Sequence, residues 1–134
     1  MSGDEARRAV IQHWINKADH ALAAARRESA AGDLGLAMNR VYYACFYAAT
    51  AVLLRDKKEF TKHAGVRAAI HQHLVKPGRI SAAMGTFYDQ VFRERQEADY
   101  TAMTEFEPAT VADRITQAES FVAEMKRLLQ DRQL

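Results

Sequence analysis

Arg40 is the residue of this chain that most needs a chemical partner. It stands in the apolar stretch Leu34 to Arg55, where Asn39 and Thr50 are the other main polar exceptions. Tyr43 and Tyr47 follow it by three and seven residues, a spacing that puts all three on one helix face. Leaving a buried guanidinium unpaired costs about 3–5 kcal/mol, so a carboxylate is expected close by. The stretch around Tyr88 offers one. Starting from Tyr88, residues Phe92, Arg95 and Asp99 fall within about 40° of one another at roughly 100° per residue, so Arg95 and Asp99 prolong an apolar stripe while Arg93 points away from it. Asp99 is expected to pair with Arg40 or with Arg95, with Tyr100 beside it. Two chemistries fit Arg40, Tyr43, Arg95, Asp99 and Tyr100. One is a buried salt-bridge cluster that fixes helix register; the other is a polar cleft that holds a ligand.

A second constellation is basic. Between Arg55 and Arg79 stand Arg55, Lys57, Lys58, Lys62, Arg67, Lys76 and Arg79, against only Asp56 and Glu59. The remainder of the chain is correspondingly slightly acidic. Within it, Thr61-Lys62-His63-Ala64-Gly65 opens a helix whose first N–H groups are free, an arrangement suited to an anion. Lys62, His63, Arg67 and His73 are therefore candidate phosphate-binding residues; a solvated basic surface and a plain helix cap account for the same residues. His71 and His73 point about 200° apart on a helix, which is wrong for chelating one ion, and no metal site is expected. Cys45, inside the apolar helix, reads as a small core residue. No phosphate-cradling Walker loop and no dinucleotide fingerprint occurs, so no cofactor is expected.

The elements that must position these groups are all helices. Val10, Trp14, Ala18, Ala21, Leu22 and Ala25 recur at three- and four-residue spacing from Ala6 to Ala31, and Gly32-Asp33 ends that helix. Leu34 to Arg55 is apolar almost all round and belongs at the centre of its domain. Thr61 can cap a third helix to about Val75, broken by Lys76-Pro77-Gly78, and Ser81 a fourth to about Asp99. Thr101 to Glu107 reads as a loop, and Pro108 suits the first turn of a fifth helix striped by Val111, Ile115, Ala118, Phe121 or Val122, Met125 and Leu128 or Leu129. Nothing alternates with period two. The expected fold is all-α: an up-down four-helix bundle with an additional short helix.

At 134 residues the chain is expected to form one domain over 1–134, with its core at about 6–130. The single cysteine fits a reducing compartment. A net charge of +2 is too small for coating nucleic acid by bulk charge. The longest nearly continuous apolar run, Val41 to Leu54, falls short of the ~20 residues that span a membrane. The acidic start (Asp4, Glu5) lacks an apolar signal core, and a cytoplasmic location is expected.

Four segments, in order, resemble the HEPN superfamily: NRVYYACFYAA (Asn39 to Ala49), TKHAGVRAAI (Thr61 to Ile70), LVKPGRI (Leu74 to Ile80) and RERQEADY (Arg93 to Tyr100). The likeness spans about residues 6–130 and is strongest to small stand-alone members. It implies a helical bundle, a homodimer, and a minimal nucleotidyltransferase as partner or antitoxin. Active members are metal-independent endoribonucleases that use an Arg followed, after four to six residues, by a His, with two copies facing across the dimer cleft. Here Arg93 or Arg95 is followed by Asp99 and Tyr100, without His. Asp is a poor substitute for an imidazole that exchanges protons near neutral pH. The same bare spacing occurs at Arg7 or Arg8 with His13 and at Arg67 with His73, about as often as chance provides. The expected function is a dimeric binding module that takes RNA or a nucleotide in its cleft; the alternative is an endoribonuclease toxin with a divergent Arg/Asp/Tyr site.

Overall fold

A computed structural model of the chain describes residues 2–100 and 105–131, all helix and connection, with no strand among them. Four long helices, α1 (Gly3–Ala30), α2 (Leu34–Arg55), α4 (Ala82–Tyr100) and α5 (Pro108–Gln130), form the bundle, and the short α3 (His63–Ile70) lies between α2 and α4 in sequence. Most of the expected loop after α4, Thr101 to Thr104, lies outside the described residues.

The helix ends follow from local chemistry. Ser2 caps α1 by accepting from the Glu5 N–H at 3.1 Å, and Asp4 and Glu5 complement the positive end of the helix. Gly32, at φ 82°, turns the chain out of α1, and the Asp33 N–H bonds back to the Glu28 carbonyl. Asp33 then caps α2 through the Leu36 N–H, so one dipeptide closes a helix and opens the next. Ser81 caps α4 through the Met84 N–H, and Pro108 stands in the first turn of α5. Thr61 does not cap α3. That helix starts one turn position later, with Lys62 as an N-cap that makes no side-chain bond.

α2 is the axis of the molecule and packs against α1, α3, α4 and α5. Its Ala37, Ala44, Ala48, Ala49 and Ala51 are all fully buried, and such small residues let neighbouring backbones approach closely. Tyr42, Leu53, Tyr88, Phe121 and Met125 fill the remaining space, each contributing about 1.5–3 kcal/mol by burial. Cys45 is buried among them. Arg114 of α5 bonds Glu94 of α4 at 2.8 Å with both side chains largely covered, and Lys126 reaches Asp19 of α1 at 2.9 Å.

The third helical segment departs from a continuous α-helix. After Ile70 it widens into a π-helical turn, His71–Val75, with the Lys76 N–H bonding the His71 carbonyl. The turn presses His71 and Val75 onto Gly85 of α4, where a Cβ would come within 2.8 Å of Val75 Cγ2 and 2.9 Å of His71 Cε1. The imidazole cannot easily retreat, because its Nε2 is held 2.9 Å from the Asp89 carboxylate. Gly85→Ala is therefore expected to lower stability in urea unfolding, with overpacking of about 1–3 kcal/mol outweighing the gain in helix propensity. Gly35→Ala, with open space around it, should leave stability unchanged or slightly raised.

Candidate functional site

The site forms where the first half of α2 meets the end of α4. Asn39 donates to both Asp99 oxygens, at 3.0 and 3.2 Å, and its own carbonyl oxygen accepts from Arg40 Nε and Nη2 at 3.0 and 2.7 Å. Arg95 Nη1 reaches Asp99 at 3.5 Å along α4. Arg40 and Arg95 thus share one carboxylate, but Arg40 meets it only through the Asn39 amide. Arg40 is half-buried rather than enclosed, its guanidinium 5.2 Å from the Tyr43 ring centre. Arg95 is the buried one, 4.9 Å from the ring centre of Tyr42 and 5.8 Å from that of Tyr43. Its Nε has no hydrogen-bond partner among the described residues, so its charge is balanced by π-faces and one long ion pair. Tyr100 is 77% exposed and stands outside this network.

His63 joins the same cluster from α3. Its ring lies 4.5 Å from Phe46 and 5.7 Å from each of Tyr42 and Tyr43, and its Nδ1 is 2.7 Å from the Tyr42 hydroxyl. Burial, with the positive charge of Arg95 adding to it, holds the His63 pKa below its usual 6.5, so the ring is neutral at neutral pH. Burial pushes the Tyr42 phenol up to about 12, so it keeps its proton and donates it to Nδ1. The His63 proton then sits on Nε2, as assigned from this bond. Tyr88, whose phenol is raised far above its usual range by burial first, interacts with Tyr42 without closing a well-formed hydrogen bond.

The four residues expected to bind phosphate do not converge. Lys62 is exposed at the start of α3, and His63 turns inward to Tyr42. Arg67 bonds Asp89 at 2.8 Å and covers the Phe92 ring at 5.0 Å. Burial alone would raise the Asp89 carboxyl, but the bonds from Arg67 and His71 outweigh it and hold the group below its usual range. His73 lines a separate cavity with Arg55, Lys57, Lys58 and Arg79 at the opposite end of α2. Those cations cluster where α2 ends and α5 ends: Arg55 bonds the terminal carbonyls of Leu128 and Asp131, and Arg79 pairs with Asp56 at 2.7 Å. Basic side chains at helix C-termini are what the exposed carbonyls and the negative ends of the helix dipoles favour.

Asn39, Tyr42 and Phe46 are the site residues that the spacing argument did not single out. Asn39 carried a signal, as a polar residue in an apolar helix. Tyr42 and Phe46 carried none, since an aromatic residue on a central helix reads as core whether or not its edge reaches a site.

Comparison with known proteins agrees with this architecture. The family model described as HEPN domain matches residues 11–130. A protein of Thermotoga maritima named UPF0332 protein is 37% identical over 122 residues, covering 91% of this chain and 92% of that protein. Two proteins of Methanocaldococcus jannaschii, named Putative toxin MJ0142 and Putative toxin MJ0605, are 24% and 35% identical. The first alignment covers 89% of this chain and 81% of the relative, the second 71% and 70%. The chain belongs to the HEPN domain family.

Proposed function

We propose that the chain is the HEPN member of a toxin–antitoxin-like pair: a homodimeric binding module, partnered by a minimal nucleotidyltransferase, that holds RNA or a nucleotide at the Arg40–Arg95 site. The charge of the site carries this reading. Two guanidinium groups share the single carboxylate of Asp99, and one of them reaches it only through an amide. The excess positive charge lies on tyrosine faces at an open edge, which suits a phosphate with a flat base attached. Relatives named as toxins support the type of system.

His63 favours holding over cutting. Metal-independent cleavage of RNA needs one group to take the 2′-hydroxyl proton as that oxygen attacks phosphorus, and another to give a proton to the departing 5′-oxygen. With Nδ1 occupied by Tyr42 and a proton on Nε2, His63 can donate a hydrogen bond to a phosphate oxygen but has no free lone pair to accept a proton. Its presence within the Arg95 cluster is nevertheless the one observation that favours an endoribonuclease. In chelator at neutral pH, structured and single-stranded RNAs are expected to survive incubation with the protein, while Arg40→Gln should weaken binding of either RNA or nucleotide about tenfold or more. Robust cleavage that disappears in both His63→Ala and Arg95→Ala would replace the binding reading with the nuclease.

Association of two copies has its own structural support. Leu36 and Tyr100, 43% and 77% exposed, flank the Asn39–Asp99 contact, and exposed apolar residues beside a polar site commonly mark an interface. Tyr43, Phe46 and Tyr47 of α2 are themselves only partly buried and add to the apolar surface beside these two. Light scattering at tens of micromolar should give twice the 15.1 kDa of the chain, and Leu36→Asp should return the mass to that of one copy. A monomeric parent protein would contradict the association.

The neutral His63 also sets a pH dependence. Because the folded pKa lies below the unfolded one, the unfolded chain binds this proton more readily. The contribution of His63 is complete above about 6.5 and is lost as pH falls through the lower folded value, next to Arg95, Tyr42 and Tyr43. Urea unfolding of the parent should therefore weaken from neutral to mildly acidic pH more than that of His63→Phe; parallel curves would show that His63 does not report the site.

A further inference from the structure

α1 carries a row of two cations and an imidazole on the side that faces neither the core nor α5. Lys17, His20 and Arg27 follow one another by three and seven residues, so they lie along one face over about 15 Å of helix. Asp19 and Arg26 of the same helix are engaged elsewhere, with Lys126 and Glu119 of α5. The row borders a groove of about 300 Å³ between α1 and α2, floored by Ala21 and Ala24 and closed on the α2 side by Arg40 and Tyr47. No carboxylate lines this groove, and among the described residues none of its four basic side chains forms an ion pair.

The α2 side of the groove carries one aromatic residue, Tyr47, beside Arg40. Arg40, Tyr43 and Tyr47 share one face of that helix, and Arg40 belongs both to this groove and to the Asp99 network. Trp14 stacks on Tyr47 at 5.6 Å, and Lys17 is held over both rings, 5.0 Å from Trp14 and 4.6 Å from Tyr47. That stacking fixes the first cation of the row in place. A cationic rail along one wall and an aromatic face along the other is the chemistry that grips a single nucleic-acid strand, phosphates on the rail and a base on the ring. An anion of one phosphate would need only one of these cations; a row along the helix suits a repeating charge.

We propose that the α1–α2 groove is a binding track for single-stranded nucleic acid that leads the strand onto Arg40 and the Arg95–Asp99 site. The inference rests on the proposed reading of that site as a holder of RNA or nucleotide, and extends it with α1 residues that have no part in the Asp99 network. Lys17, His20 and Arg27 grip the backbone. Tyr47, the aromatic residue that lines the groove, receives a base. The basic stretch with Lys57 and Lys58 lines a separate cavity at the opposite end of α2 and is not on the path.

Fluorescence anisotropy with a short labelled oligouridylate, and with the matching deoxy-oligomer to tell an RNA track from one indifferent to the sugar, tests this. The triple variant Lys17→Gln/His20→Gln/Arg27→Gln should bind at least about tenfold more weakly, and its plot of log affinity against log salt should be shallower by about 1.4, the counterions of the two single-strand phosphate contacts of Lys17 and Arg27. Arg27→Glu alone, an exposed position that leaves folding intact, should weaken binding in the same direction. Lys57→Gln/Lys58→Gln/Lys76→Gln should bind as the parent does. Unchanged affinity and salt slope in both α1 variants would overturn the track; if Arg40→Gln still lost binding, the site reading would stand without it. A parent protein that binds neither strand would sink both.

Discussion

The need to bury α2 on nearly every side governs this molecule. A helix that leaves only the stripe of Leu36, Arg40, Tyr43, Tyr47 and Thr50 partly open must be surrounded on its other sides, and α1, α3, α4 and α5 all pack against it. The same need determines where polar chemistry can occur. Asn39 and Arg40 cannot be hydrated fully from within such a helix, so they emerge at the edge where the end of α4 brings Asp99. Thr50, the other polar exception, satisfies itself by donating to the Phe46 carbonyl one turn back.

Placing two guanidinium groups at that edge would be costly in a purely aliphatic setting. Tyrosine rings make it tolerable: they are apolar enough to fill the core, yet present an electron-rich face to a cation. Tyr42 shows both properties, buried at the centre of the bundle with Arg95 over its ring and its hydroxyl bonded to His63. The resulting cluster of Tyr42, Tyr43, Phe46 and His63 is continuous with the core, so the geometry of the site is fixed by the packing that stabilises the fold. Precision at the site and stability of the bundle are one property here.

The helices were legible because their signals are local. Gly32-Asp33, Ser81, Lys76-Pro77-Gly78 and Pro108 act within a turn of themselves, and the bounds of α2 emerge from sequence as the structure has them. The π-helical turn was not legible, since it depends on Gly85, a residue of another helix, admitting His71 and Val75. The site was legible in part for the same reason. Arg95 and Asp99 lie four residues apart on one helix and do meet. Arg40 and Asp99 belong to different helices, and spacing cannot reveal that Asn39 stands between them. Lys62, His63 and Arg67 are close in sequence yet already meet different surroundings along α3, namely solvent, Tyr42 and Asp89, and only His73 lies in the widened turn that follows. A basic run in sequence is thus a statement about composition, and only packing decides which of its charges remain available.

The buried thiol of Cys45 bears on how this chain can be observed at work. Burial drives its pKa far upward, so the reactive thiolate is essentially absent while α2 is enclosed. A covalent link between two chains through Cys45 requires α2 to leave the bundle first, so a disulfide-joined species would be a trace of unfolding and not of contact between folded chains. By the same logic the rate at which a thiol reagent modifies this single cysteine is a clock for the opening of the central helix, already built into the unaltered sequence.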